Sequence, residues 1–180
     1  GRNIFSAADG SPSAIFRHYI GGLQRYTPAV MAIMAPYVNS YRRIVRHTAA
    51  PINVQWGNDN RTVGFRIPIS GVEQRRVENR IIGADANPYL AMAVTLACGY
   101  LGMIDKLEPT PMITGSAYDH ASELPRGLPQ ALEWLRREDR IREVLGERFV
   151  DVYTAIKEVE HQEFMTVISP WEREHLLLHV

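Results

Sequence analysis

The sequence predicts an α+β fold in which an antiparallel sheet is flanked by helices, and three observations carry that expectation. Apolar residues recur at helical spacing over residues 15–34 and again after position 87. Between these stretches the period drops to two, with Ile52, Val54 and Trp56, then Val63, Phe65 and Ile67, alternating with polar residues. Charged amphipathic segments follow from Leu128 onward, and 46% of the 180 residues are apolar, enough to build one domain with a core.

Each element has its own signal. Ser11, followed by Pro12 at a first-turn position, opens a helix with Ile15, Tyr19, Leu23 and Tyr26 at helical spacing, and a second run from Pro28 through Met34 is stopped by Pro36. Gly57-Asn58-Asp59-Asn60 supplies a turn between the two alternating runs, so a β-hairpin is expected there. A third strand over residues 75–82 follows the Ser70-Gly71 turn and projects Arg76, Glu78 and Arg80, spaced by two, from one face. Asn87 caps a helix with Pro88 at its first position. Its stripe of Tyr89, Met92, Ala93, Leu96 and Ala97 is expected to be buried on the sheet. Residues 107–129 are dense in Pro, Gly and Ser and read as a long surface segment, after which helices are expected over 128–145, 147–164 and 170–179.

Formal net charge is zero, yet its distribution is uneven. Residues 39–80 hold eight arginines (Arg42, Arg43, Arg46, Arg61, Arg66, Arg75, Arg76 and Arg80) against Asp59, Glu73 and Glu78, with no lysine, whereas residues 118–180 hold thirteen acids against eight bases. Guanidinium keeps its charge at any working pH and offers a rigid fork of donors, so such a set suits phosphate and carboxylate ligands better than a solubilising surface would. The arginines are interleaved with apolar strand residues and not with stacking aromatics, which argues against a nucleic-acid partner. No run approaches the roughly 18 apolar residues of a membrane span. Cys98 is the single cysteine, so no intrachain disulfide forms; a reducing, cytoplasmic setting is expected, and the first residues carry no signal-peptide pattern.

Arg61 and Arg66 are five apart, which puts them on opposite faces of a strand unless Arg61 sits in the turn. Glu78, flanked by Arg76 and Arg80, is either the centre of a structural ion pair or a metal ligand beside phosphate-binding groups; residue types alone do not choose between them.

The order of the pieces resembles the glutamine synthetase family. Asn39-Ser40-Tyr41-Arg42-Arg43, Ala50-Pro51, Asn60-Arg61 leading to Arg66-Ile67-Pro68, Arg76-Val77-Glu78-Asn79-Arg80 and Ala86-Asn87-Pro88-Tyr89-Leu90 occur in the family's order and at compatible spacing. The likeness runs from Ile20-Gly21-Gly22-Leu23 to Pro170-Trp171-Glu172, so residues 1–180 are expected to be the carboxyl-terminal part of such a catalytic domain. The resemblance implies an ATP-dependent ligase that phosphorylates the γ-carboxylate of L-glutamate and joins it to an amine, with Mg²⁺ or Mn²⁺ as cofactor and a ring-type homo-oligomer as the assembly. It further implies that Arg43 holds the α-carboxylate side of glutamate, that Arg80 lies beside the γ-carboxylate and the tetrahedral intermediate, and that Arg61 and Arg66 contact the transferring phosphoryl group. Arg76 would contact the nucleotide phosphates, and Glu78 would be a metal ligand.

Two departures shape the expectation. Where the family's ammonia-using members place a mobile acid two positions before the Ala-Pro proline, this chain has Ala49, which can neither attract ammonium nor accept its proton. That favours a larger primary amine and the γ-glutamylpolyamine or γ-glutamylputrescine synthetase branch, which the run from Arg17 to Gln24 also resembles. Glutamine synthetase itself and a non-catalytic binding or structural relative are the alternatives. The family's other metal ligands and its small amino-terminal domain are expected upstream of this stretch, so the 180-residue chain alone should be inactive.

Tyr118 sits where some bacterial glutamine synthetases carry a nucleotidylated tyrosine, although a plain polar loop tyrosine is the simpler reading. His18, His47, His161, His175 and His179 show no metal-ligand spacing. Cys98 reads as a small core residue, and Trp134 and Trp171 as anchors for amphipathic helices.

Overall fold

Ser13, not Ser11, caps the first helix: its hydroxyl accepts from the Phe16 amide, and α1 spans Ala14–Tyr26. Leu23 and Tyr26 of the expected face are buried, together with Phe16 and Ile20, while Ile15 is exposed. The computed structural model describes residues 1–46 and 48–179, so His47 lies outside the described residues. The apolar run after α1 folds as a 3₁₀ turn, Thr27–Val30, and the short helix α2, Met31–Met34, both buried at the centre of the core.

The small sheet holds β1 (Trp56–Asn58), β2 (Phe65–Ile67) and β3 (Glu78–Asn79) in that order. The α+β class is as predicted, but the expected hairpin is not formed, because β1 and β2 run parallel with Trp56 opposite Phe65 and Asn58 opposite Ile67. Gly57 and Asn58 belong to the strand and not to a turn. The chain instead loops through residues 59–64, with Asp59 in a left-handed conformation (φ 45°) and the Asn60 carboxamide oxygen accepting from both the amide and the hydroxyl of Thr62. That loop returns the chain to the start of β1, where the Phe65 amide donates to the Gln55 carbonyl. β3 is antiparallel to β2 and only two residues long, so the predicted third strand shrinks and Arg75 and Arg76 lie before it.

Asn87 caps α3, Pro88–Ile104, as its sequence announced. The buried face differs from the one predicted: Ala91, Val94, Cys98 and Leu101 face inward with Ala97, the one residue of the expected stripe that is buried, while Tyr89, Met92 and Leu96 are exposed. The helix packs chiefly on α1 and not on the sheet, for a steric reason. A Cβ added at Gly22 would press on the Cys98 carbonyl and the Gly102 Cα, and one at Gly99 would enter the Tyr19 ring. Gly22 lets the two backbones touch and Gly99 seats the Tyr19 ring, which together fix the facing sides whatever the apolar pattern. The remaining helices are α4 (Leu128–Arg137), α5 (Asp139–Leu145), α6 (Glu147–Met165) and α7 (Pro170–Leu176). α4 carries Leu128, Leu132 and Leu135 into the core, whereas no residue of α7 is buried. Among the described residues no helix is long and apolar enough to cross a membrane.

Candidate functional site

Cross-strand register builds the centre of the arginine cluster. Arg66 on β2 stands directly opposite Glu78 on β3, between the buried Phe65 and Ile67, and directly opposed side chains of opposite charge pair. Arg66 Nη1 donates to Glu78 Oε2, and its other donors reach Asp59 Oδ1, with Nε at 3.0 Å. Asp59 first and Glu78 second push the Arg66 pKa further up, so it is cationic throughout. Arg80 continues the chain of charges: its Nε lies 3.6 Å from Glu78 Oε1, Nη1 donates to the Arg61 carbonyl, and Nη2 donates to the Ala49 carbonyl at 3.4 Å. Arg43, in the 3₁₀ segment Val38–Arg43, donates to the Ile81 carbonyl beside Arg80, while its buried Nε has no hydrogen-bond partner among the described residues. Burial lowers its pKa, opposed by the charge of Asp85.

The structure thus joins Arg66, Glu78 and Arg80 directly, sets Arg43 on the adjacent Ile81 carbonyl, and places Arg61 in the loop, the arrangement in which Arg61 and Arg66 can share a ligand. Arg76 is not drawn in: it is exposed and, among the described residues, bonds only to the Gln74 carbonyl, 3.2 Å away. The exposed guanidinium groups of Arg42, Arg46 and Arg61 make no ion pair or hydrogen bond among the described residues. Arg75 serves a different purpose altogether. Its Nη1 donates to Phe5 O, Ser6 Oγ and Ser11 O at 3.2, 2.9 and 2.8 Å and its Nη2 to Gly10 O at 2.9 Å, so it staples the amino-terminal loop. A cleft of about 660 Å³ lies beside that staple, lined by Phe16, Trp56, Ile67 and Arg75. Ile67 points to the opposite face of β2 from Arg66, so this cleft is separate from the Arg66–Glu78 pair.

The Pro/Gly/Ser-rich segment does run along the surface, but it is tied down bond by bond. The Thr110 amide donates to Gln24 Oε1 (2.8 Å), the Ile113 amide to Trp56 O (3.1 Å) and Asn60 Nδ2 to Gly115 O (2.7 Å). Further along, the Ala117 amide donates to Thr62 Oγ1 and Asn53 Nδ2 to Ala117 O (2.7 Å), and Ser122 Oγ donates to Ile52 O. Tyr118, expected to be a polar loop residue, is buried at 8% exposure, and its hydroxyl meets the Thr48 and Ala50 carbonyls, the latter at 3.0 Å. Sequence reasoning missed this strap because its bonds join residues far apart along the chain.

Cys98 is a core residue as expected, fully buried, with its thiol pKa driven up by that burial. Trp134 is half-buried, and Trp171 is 59% exposed and stacks on His175 with ring centres 4.8 Å apart. Among the described residues no group of three or more His, Cys, Asp or Glu side chains is placed to hold a metal ion.

The family model described as the glutamine synthetase catalytic domain matches residues 1–176. Similar proteins include type-1 glutamine synthetase 2 of Dictyostelium discoideum, 36% identical over 98% of this chain and 35% of its own length. Gamma-glutamylputrescine synthetase PuuA of Escherichia coli K12 is 38% identical over 98% of this chain and 38% of its own length, and glutamate–isopropylamine ligase of a Pseudomonas species is 36% identical over 91% and 36%. The chain therefore spans well under half the length of these relatives. Among solved structures, ligand-free GmaS superposes with a TM-score of 0.85 at 28% identity, covering 98% of this chain and 42% of that one, and a GmaS–ADP complex gives 0.86. The chain belongs to the glutamine synthetase family, within its catalytic domain.

Proposed function

We propose that the complete protein is an ATP-dependent ligase that joins the γ-carboxylate of L-glutamate to an alkylamine or polyamine through γ-glutamyl phosphate. The observation that carries the amine is Ala49. Its exposed methyl group stands where the family's ammonia-using members have an acid, and its carbonyl is held by Arg80, so the loop beside the cluster offers no carboxylate at that position. The named relatives that act on putrescine and isopropylamine support this choice of amine, while those named glutamine synthetase support ammonia as the second reading.

Amide formation from a carboxylate at neutral pH needs its oxygen converted into a leaving group. Phosphoryl transfer brings two anions together, and fixed cations lower that barrier without a protein nucleophile. Arg43 would hold the glutamate α-carboxylate side and Arg80 would face the γ-carboxylate and the tetrahedral intermediate. Arg61 and Arg66 would take the transferring phosphoryl group and Arg76 the nucleotide phosphates. Arg61 and Arg76 have donors to spare, whereas Arg66 and Arg80 are already held in place by carboxylate and carbonyl partners. The donor set of this stretch does not by itself fit a divalent ion: both Glu78 oxygens face guanidinium groups, and no three-ligand group accompanies them among the described residues. Glu78 would be the one ligand this stretch contributes to an ion whose other ligands lie elsewhere in the complete protein. A cytoplasmic ring-type homo-oligomer completes the proposal.

Glutamate-dependent ATP hydrolysis by the complete protein, run in parallel with ammonium, ethanolamine, putrescine and spermidine, tests the amine. Stimulation by an alkylamine or polyamine is expected. Stimulation by ammonium alone would defeat that choice and leave glutamine synthetase.

A further inference from the structure

We propose that Tyr118 is a positioning residue that sets the amine side of the site by clamping the loop that carries Ala49. The phenol is buried, and its oxygen lies within hydrogen-bond reach of the Thr48 and Ala50 carbonyls, the two that flank Ala49. One hydroxyl proton serves both acceptors, so the loop is gripped on either side of Ala49 by a single atom. The Ala49 carbonyl points the other way and accepts from Arg80 Nη2. Three consecutive carbonyls are thus pinned alternately by a phenol and a guanidinium, which leaves the Ala49 methyl little freedom to shift.

The grip is firm because the tyrosine itself is anchored. It sits in the turn Ala117–Asp119, where Ser116 Oγ accepts from its amide, and the neighbouring Ala117 bonds through its carbonyl to Asn53 and through its amide to Thr62 Oγ1, 2.7 and 2.8 Å away. Thr62 adjoins Arg61, whose carbonyl takes the other hand of Arg80. The bonds close into a ring that runs Arg80, Ala49, its flanking carbonyls, Tyr118, Ala117, Thr62, Arg61 and back to Arg80. Arg80 keeps its Glu78 and Arg61 contacts when the Ala49 loop is released, so the clamp acts on the amine side and not on the arginine proposed to face the γ-carboxylate. A hydroxyl bonded in this way is not presented for nucleotidylation, because a group on that oxygen would have to displace both carbonyls.

The clamp stands on geometry alone; its role in amine choice rests on the ligase reading above. Both are tested on the complete protein with Tyr118→Phe, which keeps the ring and removes the hydroxyl. Hydrogen–deuterium exchange over residues 48–50 should accelerate by roughly tenfold, because the released loop opens more often and the Ala50 amide then leaves its Thr48 Oγ1 acceptor. In steady-state kinetics the KM for the amine should rise about tenfold, with kcat and the KM for ATP changed by less than about twofold, the pattern of lost binding geometry and not lost chemistry. Unchanged exchange at 48–50 would overturn the clamp. Accelerated exchange with an unchanged amine KM would overturn the positioning role. If the unmodified protein turned over no amine at all, the ligase reading and the amine role would fall together, and the exchange experiment would still decide the clamp.

Discussion

The α1–α3 pair and the arginine loops reach the same end, a fixed backbone, by opposite means. Between the helices, Gly22 and Gly102 remove side chains so that backbone lies against backbone, Gly99 makes room for the Tyr19 ring, and the contact is held by dispersion and apolar burial. Around the arginines the backbone is held away from other backbone by single side chains, among them Asn53, Asn60, Thr62, Tyr118 and Arg80, each spending a donor on a distant carbonyl or accepting from a distant amide. The first arrangement tolerates no added atom anywhere. The second can be altered one bond at a time, and a site whose specificity differs among relatives needs that kind of adjustability.

Substitutions can break this contrast, and the largest effect is expected at the helices. Gly22→Ala adds one carbon where the neighbours are backbone atoms that cannot swing aside, and should cost about 3 kcal/mol or more. In the complete protein that would appear as a fall in Tm of roughly 10 °C; an unchanged melt would mean the helices are not in contact there. Arg75→Ala comes next. It should cost about 2 kcal/mol by releasing the loop at Phe5, Ser6, Gly10 and Ser11, while glutamate-dependent turnover per folded molecule stays within about twofold. A large selective loss of turnover would show that Arg75 belongs with the ligand-facing arginines. The smallest effect is expected for Asn60→Ala, which removes one tether to Gly115 and the Thr62 bonds and should cost about 1 kcal/mol, read from the denaturation midpoint.

Local signals were readable in the sequence because their partners lie within a turn. Asn87 followed by Pro88 fixed the start of α3, and the Ser/Pro pair near position 12 located α1 to within two residues, with Ser13 outcompeting Ser11 for the cap. The inward face of α3 was misread because the helix is apolar nearly all round, so its pattern cannot choose a side; the glycines that do choose act through contacts with α1. The parallel pairing of β1 and β2 escaped for a related reason, since a Gly-Asn-Asp-Asn run signals a reversal without saying which end of the first strand the chain rejoins. At the site, the density of arginine was legible but the division of labour was not. Arg75 is a staple, Arg66 and Arg80 are held by partners, and Arg61 and Arg76 remain available, distinctions that depend on carbonyls and carboxylates from elsewhere in the chain. Tyr118 is the extreme case, with its acceptors 70 and 68 positions away.

We propose the tethered arginine cluster as the place where glutamate is activated, with Arg80 at its junction between Glu78, Arg61 and Ala49. Arg80→Ala in the complete protein tests it most directly, by glutamate- and amine-dependent ATP hydrolysis alongside circular dichroism. Turnover should fall at least about a hundredfold with the fold intact, as for removal of a group that stabilises developing charge. Normal turnover in a folded variant would contradict the claim.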